Sequence, residues 1–302
     1  MGEVGKKPFI LCQVKSNMRE YFATAKVSLL LCLSIAIIAT LVSSSYFGVV
    51  SSQENKTLTQ PNVNQNTTAT INASKVNIVL VHGAFADASG WSGVIPILQK
   101  AGHRIIATEL PEHSLSDDVA TVKRAINLVG GPVILVGHSY AGEVITNAGY
   151  NNPNVKGLVY LAAFAPDEGQ PLSNWVNVSK LLSTGLFIKD EGGFLYIDPN
   201  KFHDAFAKDL DPVQTAIMAA VQKPINSSIF AEKSGPPAWK QLPTWYQVSE
   251  NDHSIPPDIE RMFAKQMNAT TISLPSSHVA FISHPDEVAK FILDAANSIS
   301  NK

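Results

Sequence analysis

Beyond residue 32 the sequence has no cysteine: of its 302 residues only Cys12 and Cys32 carry a thiol. Everything downstream is therefore without a disulfide, a thiolate metal ligand or a cysteine nucleophile, and its folded part is expected to be held by packing alone. Charge is scarce as well. Asp, Glu, Lys and Arg make up 16% of the chain, against about a quarter in an average soluble domain. A formal net charge of -2 provides no basic surface for neutralising phosphates, so nucleic acid is not an expected partner. No spacing of His or Cys suggests a metal site. The glycine-rich stretches match neither a dinucleotide-binding nor a nucleoside-triphosphate phosphate loop, and no cofactor is expected.

What is present begins with a leader. Lys6, Lys7, Lys15, Arg19 and Lys26 precede a run of 24 residues, 27–50, without a single charge. Such a run serves as a signal-peptide core if it ends at Ser43 to Ser45, or as a spanning helix if it does not. Residues 1–50 are thus expected to be an N-terminal signal peptide or membrane anchor. Cys32 follows Leu30 and Leu31 rather than a small residue, unlike a bacterial lipoprotein acceptor. The positive flank precedes the apolar run, which predicts a product that is secreted or membrane-anchored, with the bulk of the chain outside the cytoplasm and membrane contact only through this segment. Residues 51–74, rich in Ser, Asn, Gln and Thr, bury too little to offset ordering entropy and are read as a disordered polar linker. Glycosylation sequons start at Asn55, Asn66 and Asn72, and again at Asn177, Asn226 and Asn268.

From residue 75 the pattern changes. Strand-length apolar runs at 76–82, 104–110, 132–138, 155–162, 244–249 and 270–275 alternate with helical spacing near 91–101, 116–129, 140–150, 257–267 and 286–298. The runs are continuous Val, Ile and Leu rather than alternating, as in strands covered on both faces. This predicts an α/β domain over 75–302, a doubly wound, mostly parallel sheet of about six strands with ligands at the strands' carboxyl ends. The interval 165–242 is too long for a structureless loop and is read as an inserted, mainly helical cap.

The chemistry concentrates at those strand ends. Gly137-His138-Ser139-Tyr140-Ala141-Gly142 follows a strand and precedes a helix, where a sharp turn would expose the Ser139 hydroxyl as a nucleophile. Ala141 stands where the usual G-x-S-x-G pattern has its second glycine. His82-Gly83-Ala84 ends the first strand, so the backbone amides of Ala84 and Tyr140 would form an oxyanion hole. His82 itself is read as a packing or orienting residue. A serine needs a base and the base an acid, in the chain order Ser, Asp, His. Asp252 after the fifth long strand and His278 after the sixth fit that order. The competing acids are Glu250, placed still in its strand, and Asp258, placed at a helix start. His284 is a competing base read as a capping residue, and His103, His113, His203 and His253 are read as surface or loop histidines.

With these residues assembled, residues 75–299 resemble the α/β-hydrolase superfamily. The branch is the small one of plant methylesterases, hydroxynitrile lyases and bacterial esterases. The resemblance rests on HGAFADASGW (82–91), LVGHSYAGEVIT (135–146), ENDHSIPPDIERMFAKQM (250–267) and SSHVAFISHPDEVAKFI (276–292). It implies a catalytic triad of Ser139, Asp252 and His278 that cleaves a carboxylic ester, lactone or thioester through an acyl-enzyme. Hydroxynitrile lyases of this branch carry a lysine after the catalytic histidine, where this chain has Val279, so cyanohydrin cleavage is disfavoured. Serine at the elbow argues against dehalogenases and epoxide hydrolases, which normally place a carboxylate there. The apolar residues Trp175, Leu186, Phe187, Phe194 and Trp239 suggest a small, uncharged ester-like substrate. The alternative is a catalytically slow ligand-binding module on the same fold, which the fold alone does not exclude.

Overall fold

Runs of Val, Ile and Leu with no polar face have no stable place except between two layers of other elements. The computed structural model describes residues 75–300, and the leader, the linker and the first three sequons lie outside the described residues. Its first four strands are β1 (Asn77–Val81), β2 (Ile105–Thr108), β3 (Val133–His138) and β4 (Val155–Leu161), and all six residues of β3 are buried. Between them run α1 (Ile95–Lys100), α2 (Leu115–Val129) and α3 (Ala141–Ala148). The start of α2 follows from Ser114, whose hydroxyl accepts from the Asp117 amide, a cap worth about 1 kcal/mol.

The cap follows β4. It holds α4 (Val178–Ser183), β5 (Phe187–Lys189), β6 (Phe194–Ile197), α5 (Pro199–Phe206), α6 (Pro212–Val221) and β7 (Ile225–Asn226). Both α5 and α6 open on Asp-Pro, Asp198 and Asp211 capping their helices with Pro at the first position, which is where a missing N–H costs nothing. Helices make up most of its regular structure, as expected, but β5, β6 and β7 add a small antiparallel sheet in the order β5-β6-β7. Strands of two to four residues are too short to leave a legible alternation.

The chain then returns to the main sheet through β8 (Thr244–Ser249), α7 (Pro257–Gln266), β9 (Thr270–Leu274), α8 (Ala280–Ser283) and α9 (Pro285–Ser300). The six strands are parallel in the order β2-β1-β3-β4-β8-β9, and α2 packs over β1 while α9 packs over β4. After β2 the chain crosses back over β1 to add β3, so the winding direction reverses between β1 and β3. At such a reversal the loops after neighbouring strands diverge and leave a crevice. Here those loops are His82-Gly83-Ala84 and the turn at Ser139, brought side by side by the pairing of Val81 with Gly137.

Candidate active site

Ser139 occupies a left-handed backbone conformation, φ 54°, a conformation that a non-glycine residue keeps only where its surroundings enforce it. Three backbone hydrogen bonds enforce it: the Ser139 amide donates to the Leu161 carbonyl (3.2 Å), and the Ser139 carbonyl accepts from Gly142 (3.0 Å) and Phe164 (3.1 Å). Glycine is obligatory around this turn. A Cβ at Gly142 would lie 2.2 Å from the Phe164 carbonyl oxygen, and one at Gly83 2.6 Å from the Ser139 Cβ. Position 141, by contrast, is the buried first residue of α3, and the close approach falls on Gly142 beside it. That accounts for alanine in place of the second motif glycine.

The structure brings Asp252 and His278 together. The His278 Nδ1 lies 2.5 Å from Asp252 Oδ2, and the other carboxylate oxygen, Oδ1, accepts from the amides of Ser254 (2.6 Å) and Ile255 (2.9 Å). Asp252 and His278 are 4% and 1% exposed, so the pair is shielded from water. The competing residues lie elsewhere: Glu250 pairs with Arg261, Asp258 is an exposed member of the first turn of α7, and His284 lies 3.8 Å from Glu287 at the start of α9.

His138 was not singled out in the sequence, yet its Nε2 donates to the His278 carbonyl (2.9 Å) and its ring lies 4.6 Å from the His278 ring. Burial, then His278, lowers the His138 pKa well below the usual value, which keeps it neutral. Its only signal was its place inside the motif. Among the other histidines, His103 sits in a loop but is buried, its Nδ1 bonded to the Val76 carbonyl (2.7 Å).

His82 is an orienting residue. Its Nε2 accepts from the Leu110 amide (3.0 Å), and its Nδ1 donates to the Gly83 carbonyl (2.9 Å), which fixes the turn that carries Ala84. On the neighbouring strand end the Tyr140 hydroxyl donates to the Asp118 carboxyl (2.6 Å), whose other oxygen accepts from the Glu112 amide (2.8 Å). Burial, then the nearby Asp118, pushes the Glu112 carboxyl well above the ordinary range. Both turns that would supply oxyanion amides are thus anchored from behind by buried polar groups.

Ser139, His278, Ala84 and Tyr140 all line one cavity of about 100 Å³. Phe85, Phe164, Phe187, Phe206, Phe230 and Leu186 supply much of its wall, and among the described residues no Asp, Glu, Lys or Arg lines it. Of the five cap residues expected to shape a pocket, Leu186 and Phe187 do so. The others serve packing: Trp175 meets Phe263 edge-on (4.9 Å between ring centres), Phe194 meets His113 edge-on (5.4 Å), and Trp239 donates to the Pro166 carbonyl (3.3 Å). Residues 204–209 of the cap also hold the loops of the acid and the base. The Asp204 and Ala205 carbonyls accept from His253 Nδ1 (2.8 Å) and Ser254 Oγ (2.7 Å), and the Asp209 carboxylate accepts from the Ser277 amide (3.0 Å) and hydroxyl. Among the described residues, no group of three or more His, Cys, Asp or Glu side chains is disposed to hold a metal ion.

Residues 78–291 match the family described as the alpha/beta hydrolase family. An alpha/beta hydrolase of Aspergillus novofumigatus is 26% identical over 245 residues, covering 74% of this chain and 97% of that protein. The pyrethroid hydrolase of Sphingobium wenxiniae is 25% identical, covering 74% of this chain and 88% of its own length. Among solved structures, an extracellular α/β-hydrolase from a Paenibacillus species superposes with a TM-score of 0.64 at 22% identity, over 73% of this chain and 98% of that one.

Proposed function

Because the chain belongs to the alpha/beta hydrolase family, we propose that it is a serine hydrolase of small, uncharged carboxylic esters or the related lactones and thioesters, acting through Ser139, His278 and Asp252. The observation that carries this reading is the shielded His278–Asp252 pair, 2.5 Å apart, opening on the same cavity as a serine held at φ 54°. In the reaction, His278 takes the Ser139 proton as the hydroxyl attacks the carbonyl carbon, and Asp252 holds the imidazole in the required orientation. The amides of Ala84 and Tyr140 receive the negative charge that develops on the carbonyl oxygen. His278 returns the proton to the leaving alcohol, and water then releases the acid from the acyl-enzyme by the same steps in reverse order.

The substrate class follows from the wall of the cavity. A charged substrate would leave water for a site with no compensating Asp, Glu, Lys or Arg among the described residues, at a cost of several kcal/mol. The relatives named as hydrolases and esterases support ester cleavage. The basic and then apolar leader supports a location outside the cytoplasm, secreted or membrane-anchored.

The test compares hydrolysis of p-nitrophenyl acetate and butyrate by the full chain and by Ser139→Ala, with fluorophosphonate labelling alongside. The wild type should turn over and be labelled, and the variant should lose up to about a million-fold in rate. A folded wild type that is inert and unlabelled, yet binds small apolar ligands, would instead be the ligand-binding module.

A further inference from the structure

Next to the cavity that Ser139 lines is a second, smaller one of about 50 Å³. Phe85 lines both. Its backbone is left-handed, φ 63°, a conformation that a bulky residue keeps only where its surroundings enforce it, and one that gathers at functional sites. The ring is buried and packs on Phe187, 5.2 Å away between ring centres with the planes tilted by 48°. Around the smaller cavity, Ala86 comes from the turn after β1, Met218 and Val221 from α6, and Val279 and Phe281 from the segment that follows His278. None of these last five lines the larger cavity.

When a serine attacks an ester, the reacting carbon acquires four substituents: the serine oxygen, the oxyanion, the acyl chain and the alcohol oxygen. With the first two fixed by Ser139 and by the amides of Ala84 and Tyr140, the acyl and alcohol arms must point apart and need space on two sides. The larger cavity measures about 100 Å³, whereas about 150 Å³ is needed to enclose a single benzene ring. It therefore has room for one arm of a substantial ester and not for both. His278 decides which arm lies where, because it must reach the alcohol oxygen to return the proton. The residues directly after it are those that wall the smaller cavity.

We propose that the smaller cavity is the subsite for the alcohol arm of the ester, with Phe85 as the partition between it and the acyl arm. The proposal rests on the serine-hydrolase reading and adds to it the class of alcohol: an uncharged, apolar group such as an aryl-bearing or branched alkyl alcohol. Among the described residues no Lys or Arg lines the smaller cavity, and Asp87 on its wall is acidic, so a negatively charged alcohol arm is repelled. Gln222, also on the wall, is committed within the cap: its Nε2 donates to the Ile197 and Ala219 carbonyls (2.9 Å each) and its Oε1 accepts from the Ile197 amide (2.8 Å). Val221 is 59% exposed, so an alcohol longer than the cavity reaches water beside it. The alcohol leaves first, while the acyl group is still bonded to the serine, and an opening of its own lets it depart past α6 without crossing the acyl arm.

The experiment uses the full chain with two substitutions and two pairs of esters. Ala86→Leu fills the smaller cavity, and Val221→Trp covers its opening from an exposed position. One pair, methyl and 2-naphthylmethyl butyrate, varies the alcohol alone; the other, p-nitrophenyl acetate and butyrate, varies the acyl group alone. In both variants the ratio of kcat/KM for 2-naphthylmethyl over methyl butyrate should fall about tenfold or more, while the butyrate-to-acetate ratio changes by less than about twofold. Phe187→Ala, on the acyl side, should move the acyl ratio instead. Ile217→Lys, outside both cavities, should move neither.

An alcohol ratio that stays at the wild-type value in both variants overturns the proposal, as does an acyl ratio that falls with it or in its place, or a wild type that cleaves only the methyl ester of the alcohol pair. Should Ala86→Leu not fold, Val221→Trp decides alone. Binding of 2-naphthalenemethanol, followed by its fluorescence, needs no turnover and separates the two readings. A wild type that cleaves no ester and takes no fluorophosphonate label, yet binds this alcohol about tenfold more tightly than the variants, would refute the hydrolase reading while leaving the smaller cavity as a site for uncharged aryl-bearing alcohols. Equal binding by wild type and variants, without turnover, would overturn both.

Discussion

Every residue of β3 is buried, whereas along α6 of the cap Val213, Ile217 and Val221 are 69%, 59% and 59% exposed. The sheet is packed on both faces and ends in turns that tolerate no added atom. The cap is a set of short helices and strands of which one apolar face closes the cavity and another meets water. The contrast separates two tasks. The proposed nucleophile, base, acid and oxyanion amides all follow strands of the sheet, where close packing leaves one allowed geometry. Most of the apolar cavity wall comes from the cap, whose side chains are free to change with less disturbance to the fold.

The sharpest way to break the comparison is at the sheet. Gly142→Ala would drive a methyl against the Phe164 backbone, and is expected to cost about 1–3 kcal/mol of stability, with a loss of about 100-fold in kcat as the elbow moves. Thermal unfolding and steady-state kinetics read the two losses separately. Next in size is Asp209→Ala, which removes the cap's hold on Ser277, the residue before His278. We expect about a tenfold loss in kcat with KM little changed. Burial opposes the Asp209 charge, but hydrogen bonds from Ser277 outweigh it and hold the carboxyl below its usual range. The stability this contributes is present above the ordinary aspartate pKa and is lost as pH falls through the lowered one, so the gap in melting temperature between wild type and variant should close on acidification.

Smaller still is Phe187→Ala in the cavity wall, which should leave hydrolysis of the acetate ester nearly intact and favour longer acyl chains by about tenfold, measured as a ratio of kcat/KM values. Ile217→Lys on the wet face of α6 should change stability by less than about 0.5 kcal/mol and leave kinetics unaltered. A large effect there would show that the cap is as constrained as the sheet.

The same division decides what could be read in advance. Continuous apolar runs located all six sheet strands, and position in the chain set the proposed Asp252 and His278 apart from Glu250, Asp258 and His284, with Ser139 at the end of its own strand. The cap's small sheet was not legible, because its strands are too short to carry a period. Nor was the contact between Asp209 and Ser277, 68 residues apart, since local pattern says nothing of which distant loops meet. His138 gave no signal beyond membership of the motif, since its role depends on a carbonyl 140 residues away.

The stretch 204–209 has a consequence for how this domain can diversify. Ala205 and Phe206 face the cavity, while Asp204, Ala205 and Asp209 secure the loops on which the proposed acid and base sit. A lineage that altered this stretch to admit a new substrate would unsettle its own turnover, so selection for novelty and selection for speed collide there. Val176, Leu181, Leu186 and Phe187 face the same cavity without that burden, and a library built to redirect the enzyme has most to gain at those four positions.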